Sequence, residues 1–249
     1  MNTRYQKLLG VLIVAASSLC LQACSDNNGN NAMNPIPTPT PTPPAMASFA
    51  VTISNLTNAQ PLSPVAVIAH QAGYAIFTVG NAASVALEEM AEGGDNAALL
   101  GAAMMDALVA GTVSGGAPIG PAGSETVTVD VLETDLVNLQ ISVATMLVNT
   151  NDAFTSLNAA VDSMAVGDVM TFRTVAYDAG TEADTEMAID IPGPAGGGTG
   201  FDPARNDQAD RVAMHGGIVS QDDGFATSDL TEQHRFDNPV AQIRIERTD

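Results

Sequence analysis

The most oxygen-rich stretch of the chain is the acidic segment at residues 177–186, which reads YDAGTEADTE. It follows a run of strand-forming residues, so its carboxylates are expected to emerge at the end of a strand. Small Ala and Gly residues between the acids allow the backbone to curl and bring oxygen atoms together. Hard cations such as Ca²⁺ bind about six to eight oxygens at about 2.3–2.6 Å, and a loop of this composition can supply such a shell.

A second oxygen-rich segment, residues 149–152 (NTND), also comes directly after a predicted strand. Two acidic segments that follow two strands could meet at one end of a β-sandwich. The spacing within residues 177–186 is not that of an EF-hand, because the required Gly is absent from the sixth position and the terminal Glu is misplaced. The residues themselves leave two interpretations open, a cation site or a merely solvated acidic loop.

Signatures of catalysis are missing from the sequence. It contains no Gly-x-Ser-x-Gly, His-Glu-x-x-His or P-loop motif. The candidate imidazole bases are His70, His215 and His234, and each is more typical of a hydrogen-bonding residue in a loop or on the surface. We therefore expect a protein that is not an enzyme. The alternatives are an envelope hydrolase that uses His215 or His234 with nearby acids, and a purely structural lipoprotein whose acidic loops bind nothing.

The charge of the chain argues against several kinds of partner. The whole sequence carries 8 basic and 28 acidic residues, a formal net charge of −20. Cleavage of an N-terminal segment that contains Arg4 and Lys7 would leave 6 basic residues against 28 acidic ones, a formal net charge of −22. Such a surface repels nucleic acid and anionic lipid headgroups and favours cations. Without tryptophan, and with three tyrosines, the chain is also a poor stacking platform for sugars or single strands.

The first residues of the chain are typical of a secretory signal. Arg4 and Lys7 precede an apolar run at residues 8–21, which is too short to span a bilayer. The following LQAC at residues 21–24 resembles the lipobox of bacterial lipoproteins, with Gln22 as a departure from the usual pattern. This resemblance predicts a lipoprotein signal peptide at residues 1–23 and lipidation at Cys24. An ordinary signal peptide with a chance cysteine, and a hydrophobic helix kept in the mature chain, are the alternatives.

The residues after the predicted cleavage site indicate an anchored protein of the bacterial cell envelope. Ser25, without an Asp directly beside the cysteine, resembles the signal for outer-membrane lipoproteins, either periplasmic or surface-exposed. Residues 24–47 form a predicted linker, Asn-rich and then PTPTPTPP, which is a semi-rigid polyproline spacer. The predicted folded domain, residues 48–249, contains no cysteine, so its stability must come from its core or from a bound metal ion.

The spacing of apolar residues in this domain is mostly that of β-strands. Alternating or continuous apolar runs predict strands at residues 49–56, 64–68, 75–79, 125–131, 139–147, 169–176 and 240–246. Residues 84–110 instead predict two short helices, the second over 96–109. The residues expected on its buried stripe are Leu99, Leu100, Ala103, Met104, Ala107 and Leu108. The chain is therefore predicted to be mostly β, an antiparallel β-sandwich with one or two short helices inserted near residues 84–110.

Several segments of the chain match blocks of a known family in the same order. They are FAVTISNLTNAQPLSP at 49–64, MLVNTNDAF at 146–154, YDAGTE at 177–182, HGGI at 215–218 and NPVAQI at 238–243. Together they resemble the spondin N-type domain as it occurs in bacterial lipoproteins, a relative of the F-spondin and mindin family, over residues 48–247. The resemblance implies a C2-like antiparallel β-sandwich with a calcium ion at one end.

The resemblance also implies which residues bind the ion. The family's metal ligands fall on Asp152 and on the first and fifth positions of the DAGTE block, which are Asp178 and Glu182. Glu182 stands where the family has Asp, which keeps a carboxylate on a longer arm. The implied function is a calcium-binding module of the cell envelope for adhesion or for interaction with a cell-surface protein or glycan. The cysteines and thrombospondin-type repeats of animal relatives are absent.

Overall fold

The structure, a computed structural model, describes residues 43–206 and 209–249, and within them it contains ten β-strands and two α-helices. The predicted signal peptide, Cys24 and most of the predicted linker lie outside the described residues. In chain order the elements are β1 (Met46–Asn55), β2 (Ala66–Gln71), α1 (Val85–Gly93), α2 (Ala97–Ala103), β3 (Val109–Ser114), β4 (Ser124–Leu132), β5 (Leu139–Met146), β6 (Ala153–Ala160), β7 (Val169–Thr174), β8 (Ala176–Asp178), β9 (Ala213–Met214) and β10 (Ala241–Arg247).

These strands form two antiparallel sheets. The four-stranded sheet has the order β4-β1-β10-β7, and the six-stranded sheet has the order β3-β2-β5-β6-β8-β9. The prediction of a mostly β, antiparallel sandwich with short helices near residues 84–110 is confirmed. Neither helix in the described ranges is long and apolar enough to cross a membrane.

Buried and partly exposed side chains alternate along β1, and this pattern shows how the core between the sheets is built. Phe49, Val51 and Ile53 point inward and are buried, while the residues between them are partly exposed. They pack against side chains of the other sheet that include Ile141 and Val143 of β5. Because successive side chains of a strand point to opposite faces, this pattern buries one face of the four-stranded sheet and leaves the other to solvent.

The six-stranded sheet is covered on its outer face as well. Leu87, Met90 and Ala91 of α1 belong to a second buried cluster with Ala144 of β5 and Phe154 of β6. A strand that is buried on both faces needs a continuous apolar run, which explains the almost wholly buried β5. Helix α1 begins where the Ser84 side chain accepts a hydrogen bond from the Leu87 N–H, and ends at Gly94, whose φ is +70°.

Two predicted elements between residues 75 and 109 are wrong. Residues 75–79 form no strand, because Phe77 instead packs from a loop onto the rings of Phe154 and Tyr177, both with centroids at 5.0 Å. The predicted helix over 96–109 is also too long, since α2 ends at Ala103 and β3 begins at Val109.

The buried stripe of that helix is correspondingly wrong in its second half. Leu99 and Ala103 are buried, but Met104, Ala107 and Leu108 are exposed. The reason is the turn between α2 and β3, where the Asp106 carboxylate accepts the N–H of Leu108 at 2.9 Å. Side-chain acceptance of a backbone N–H in this way competes with continuation of a helix.

The predicted strand at 169–176 is in fact two strands that belong to different sheets. β7 pairs with β10 in the four-stranded sheet, whereas β8 pairs with β6 in the six-stranded sheet. A hydrogen bond of 2.7 Å between the hydroxyls of Thr155 and Thr174 lies at the crossover. This change of sheet carries the acidic segment at 177–186 to the start of β6, a strand that the sequence pattern alone did not indicate.

Candidate functional site

The two acidic segments meet at one end of the six-stranded sheet. Ala153, the first residue of β6, is the register partner of Asp178, the last residue of β8. Because the two strands are antiparallel, the residue that precedes β6 and the loop that follows β8 lie side by side. The Ala179 N–H donates to the Asp152 carbonyl at 3.3 Å and continues the pairing beyond the strands.

Asp152 is completely buried and holds the start of the loop after β8. Its Oδ2 accepts the N–H of Thr181 at 2.8 Å and the N–H of Glu182 at 3.1 Å, and the Thr181 hydroxyl lies 3.2 Å away. Its Oδ1 is buried without a hydrogen-bond partner among the described residues. Burial raises the pKa of Asp152 to about 6, although the hydrogen bonds from Thr181 and Glu182 act in the opposite direction.

Gly180 makes the tight turn between Asp178 and Thr181 possible. Its φ is +70°, and a Cβ at this position would lie 2.3 Å from the Arg211 carbonyl oxygen. Only glycine fits both the left-handed backbone and the close approach. The half-buried Asp178 accepts the Gly180 N–H at 2.6 Å through Oδ1, so this carboxylate supports the same turn.

Glu182 projects into a strongly negative environment. Its Oε2 is buried and has no hydrogen-bond partner in the described part of the chain. The pKa of Glu182 is raised to about 8, first by burial and then by the negative charges of Glu92, Asp152, Asp190 and Asp202. In the folded protein near neutral pH, this carboxyl therefore tends to keep its proton unless a cation compensates it.

Glu92 is a member of this cluster that the sequence reasoning missed. It lies in the last turn of α1, is 1% exposed, and accepts the Asp202 N–H at 2.9 Å through Oε2. Burial raises its pKa. A signal was available, because Glu88 and Glu92 fall on the same helical face as the buried Leu87 and Ala91. Acids on an apolar stripe indicate buried charge.

The oxygen atoms at this end of the sandwich fit a hard cation. Ca²⁺ prefers oxygen ligands, carboxylates among them, and Asp152 Oδ1 and Glu182 Oε2 are buried carboxylate oxygens without a hydrogen-bond partner among the described residues. Within residues 43–206 and 209–249, no group of three or more His, Cys, Asp or Glu side chains is already arranged to hold a metal ion. The chemistry of the cluster therefore suits calcium, while closure around an ion would require side-chain rotation.

The two histidines considered for hydrolysis serve as hydrogen-bonding residues in turns. His215 accepts the Gly217 N–H through Nδ1 at 2.9 Å, so its proton is on Nε2, which lies 3.7 Å from Asp184 Oδ1. Burial lowers the pKa of His215. His234 accepts the Thr231 N–H through Nδ1 at 3.1 Å.

The third histidine lies beside a serine, but both are inside the protein. His70 Nε2 is 2.8 Å from the Ser142 hydroxyl, and the two residues are 0% and 2% exposed. Nδ1 of His70 is 2.9 Å from the Gln71 carbonyl oxygen, so it donates there and Nε2 accepts the serine proton. This pair satisfies two buried polar groups on the outer face of the sheet.

Comparison with known proteins gives no family assignment. A scan against protein-family models matches none of them, and no curated protein matches the chain. The similarity to the spondin N-type domain therefore stays a prediction. It depends on the sequence blocks at residues 49–64, 146–154, 177–182, 215–218 and 238–243. The candidate site itself is described by the contacts of Asp152, Thr181, Glu182 and Glu92.

Proposed function

We propose that this protein is a calcium-binding β-sandwich module of the bacterial cell envelope, held at the membrane by a lipid on Cys24. Its role would be adhesion or interaction with a cell-surface protein or glycan. The observation that supports calcium binding is the pair of buried oxygens, Asp152 Oδ1 and Glu182 Oε2, which lack hydrogen-bond partners in the described residues.

The physical argument begins with the cost of burying charge. A buried carboxylate without a partner is expensive, and two close together repel each other as well. The protein can relieve this cost by keeping protons, as the raised pKa values of Asp152 and Glu182 indicate. A divalent cation relieves it more completely, since it compensates two charges and bonds to several oxygens at once.

The role we propose for calcium is structural. The ion would join residues 149–152, which precede β6, to residues 179–182, which follow β8. Extracellular calcium modules bind the ion at roughly 10⁻⁴–10⁻³ M, so occupancy would follow the external calcium concentration. Asp178 is the third predicted ligand, and its hydrogen bond to Gly180 keeps it at the base of the same loop.

The envelope location and the adhesive role have a different support. Location depends on the basic start, the apolar run and the lipobox-like residues 21–24, and adhesion depends on the resemblance to spondin domains. The formal charge of −22 expected after loss of residues 1–23 is compatible with a partner that is basic or that is bridged by calcium.

Thermal unfolding tests the calcium site. The measurement uses the chain without residues 1–23 and with Cys24→Ser, in EDTA and across calcium from micromolar to tens of millimolar. We expect a rising and saturating Tm, a much smaller rise in D152N and D178N, and little response to magnesium. A Tm that does not change with calcium would contradict the proposal.

A further inference from the structure

The carboxylate cluster extends beyond the two loops to helix α1, and residues 202–206 are the connection. The Asp202 N–H donates to Glu92 Oε2 at 2.9 Å, and the Asn206 N–H donates to the Thr181 carbonyl at 3.1 Å. Thr181 in turn donates its own N–H to Asp152 Oδ2 at 2.8 Å. Helix α1 and the loop after β8 are therefore joined through the same short segment.

Each of the three carboxylates in this cluster has one oxygen left over. Asp152 Oδ1, Glu92 Oε1 and Glu182 Oε2 are all buried without a hydrogen-bond partner among the described residues. Asp152 and Glu92 are 0% and 1% exposed. The other oxygen of Glu92 is already used by the Asp202 N–H at 2.9 Å. Three buried oxygens without a partner need a hydrogen-bond donor or a cation, which the contacts of the described residues do not provide.

The ion pairs of the described residues do not supply that compensation. Lys7 is the sole lysine of the whole sequence. The guanidinium of Arg205, which contacts α1, pairs with Glu88 at 2.6 Å and with Asp210 at 2.8 Å. In the described ranges, none of the ion pairs involves Asp152, Glu92 or Glu182. These three acids therefore have no ion-pair partner among the described residues.

We propose that Glu92 is a further ligand of the calcium ion bound by Asp152 and Glu182, so that this ion fixes helix α1 to the two loops. The inference rests on the proposed calcium site and adds a third chain segment to it. Glu92 lies outside both oxygen-rich segments, residues 149–152 and 177–186, and is not among the ligands that the spondin resemblance implies.

This arrangement has a physical rationale in the packing of α1. Leu87, Met90 and Ala91 attach the helix to the sheet through apolar contacts, together with Ala179 of the acidic loop. Glu92 follows directly at the C-terminal end of the helix, where a negative side chain is unfavourable because of the helix dipole. A cation between Glu92 and the loops would reverse this unfavourable contribution.

Side-chain movement is part of the proposal. Like charges at short range repel, and in a partly dry environment this repulsion is stronger than in water. This repulsion opposes the gathering of ionised carboxylates around one point until a cation binds. The glutamates can rotate about their side-chain torsions when an ion replaces repulsion with attraction.

Calcium titration calorimetry on matched variants tests the role of Glu92. Glu92→Gln keeps an acceptor for the Asp202 N–H, while it removes the charge. We expect at least about tenfold weaker calcium binding and a Tm in EDTA no lower than that of the unmodified protein. Glu89→Gln, on the same helix with the same change of charge, is the control and should bind calcium as the unmodified protein does.

The outcomes separate this inference from the proposed function. If the unmodified protein binds calcium, D152N does not, and E92Q binds as tightly as the unmodified protein, Glu92 is not a ligand and the two-loop site stands. If the unmodified protein does not bind calcium, both proposals fail.

Hydrogen exchange on the unmodified protein gives a test that does not depend on how E92Q folds. Calcium should slow exchange in residues 88–93 together with residues 179–182. Slower exchange in 179–182 alone would overturn the role of Glu92.

Discussion

Thr181 donates its backbone N–H to Asp152 Oδ2 at 2.8 Å, so a residue that precedes β6 fixes the loop that follows β8. The Glu182 N–H donates to the same oxygen at 3.1 Å. The contact therefore has a structural role with or without an ion. The two oxygens of Asp152 have different surroundings, since Oδ2 is saturated and Oδ1 has no partner in the described residues.

The division between the two oxygens predicts different effects for two substitutions. Asp152→Ala leaves the N–H groups of Thr181 and Glu182 without an acceptor, which we expect to cost roughly 1–3 kcal/mol of unfolding free energy even in EDTA. Asp152→Asn keeps an acceptor and should be far less destabilising in EDTA, while it loses most of the calcium response. Urea unfolding in EDTA and in calcium measures both. Equal losses in EDTA for the two variants would contradict the structural role.

A second prediction concerns pH and Glu182. The pKa of Glu182 in the folded protein is about 8, compared with an ordinary pKa of 4.5, so the folded state holds a proton on this carboxyl up to about pH 8. Between these values the folded state binds more protons than the unfolded state, so the contribution of Glu182 to stability falls as pH rises. In EDTA, Glu182→Gln should flatten this fall and make the protein more stable than the unmodified chain at pH 8. The measurement is urea unfolding at intervals from pH 5 to pH 8.5.

The matched control for the pH experiment is Asp184→Asn, an exposed acid in the same segment. This variant should keep most of the difference in unfolding free energy between pH 5 and pH 8. Saturating calcium should also reverse the trend, because the ion binds deprotonated carboxylates and competes with protons. An E182Q protein with the same pH profile as the unmodified protein would show that Glu182 is ionised in the folded state.

Gly180 and Gly197 form a pair that separates two kinds of glycine effect. Both have positive φ, +70° and +82°, but a Cβ at Gly180 would lie 2.3 Å from Arg211 O whereas one at Gly197 meets nothing within 4 Å. Gly197→Ala should cost about 1 kcal/mol for the left-handed backbone alone. Gly180→Ala should cost distinctly more and weaken calcium binding, because the turn that carries Glu182 must shift. Similar urea midpoints for the two variants would contradict this account.

The ion pair between Arg205 and Glu88 provides a further prediction. Glu88 is 2% exposed and its Oε2 lies 2.6 Å from an Arg205 nitrogen. Arg205→Met leaves a buried carboxylate uncompensated, which we expect to cost roughly 3 kcal/mol. Adding Glu88→Gln should recover much of this loss. A double variant that is no more stable than R205M would show that the guanidinium stabilises the fold through other contacts, such as the Ala83 carbonyl at 2.7 Å.

Much of the fold could be predicted because local pattern and burial agree. β1 alternates in sequence and one of its faces is buried, and β5 is apolar throughout because the core covers one face and α1 the other. β6 was missed because its sequence, AFTSLNAA, has no clean alternation and its pairing with β5 and β8 determines its conformation. Tertiary contacts of this kind override weak local preferences.

Part of the candidate site could likewise be predicted from the sequence, and part could not. Asp152 and Glu182 could be placed at neighbouring strand ends from the sequence, and the structure brings their segments together. Glu92 could not, because its proximity depends on how α1 crosses the outer face of the sheet. The change of sheet between Thr174 and Ala176 is equally invisible to periodicity, which continues through it.

The pairing of β1 with β10 has a consequence for how the module can be displayed. Ser48 near the start of β1 bonds to Thr248 at 2.8 Å, so the chain enters and leaves the described unit at the same end of the sandwich. At the other end of β1, about 23 Å from Ser48 at about 3.3 Å per residue, Asn55 donates to the Gln60 carbonyl, and Gln60 contacts the Asn149 carbonyl beside the acidic cluster. A tether or a fusion partner joined next to Ser48 or Thr248 is therefore attached at the end of the sandwich opposite to residues 149–152.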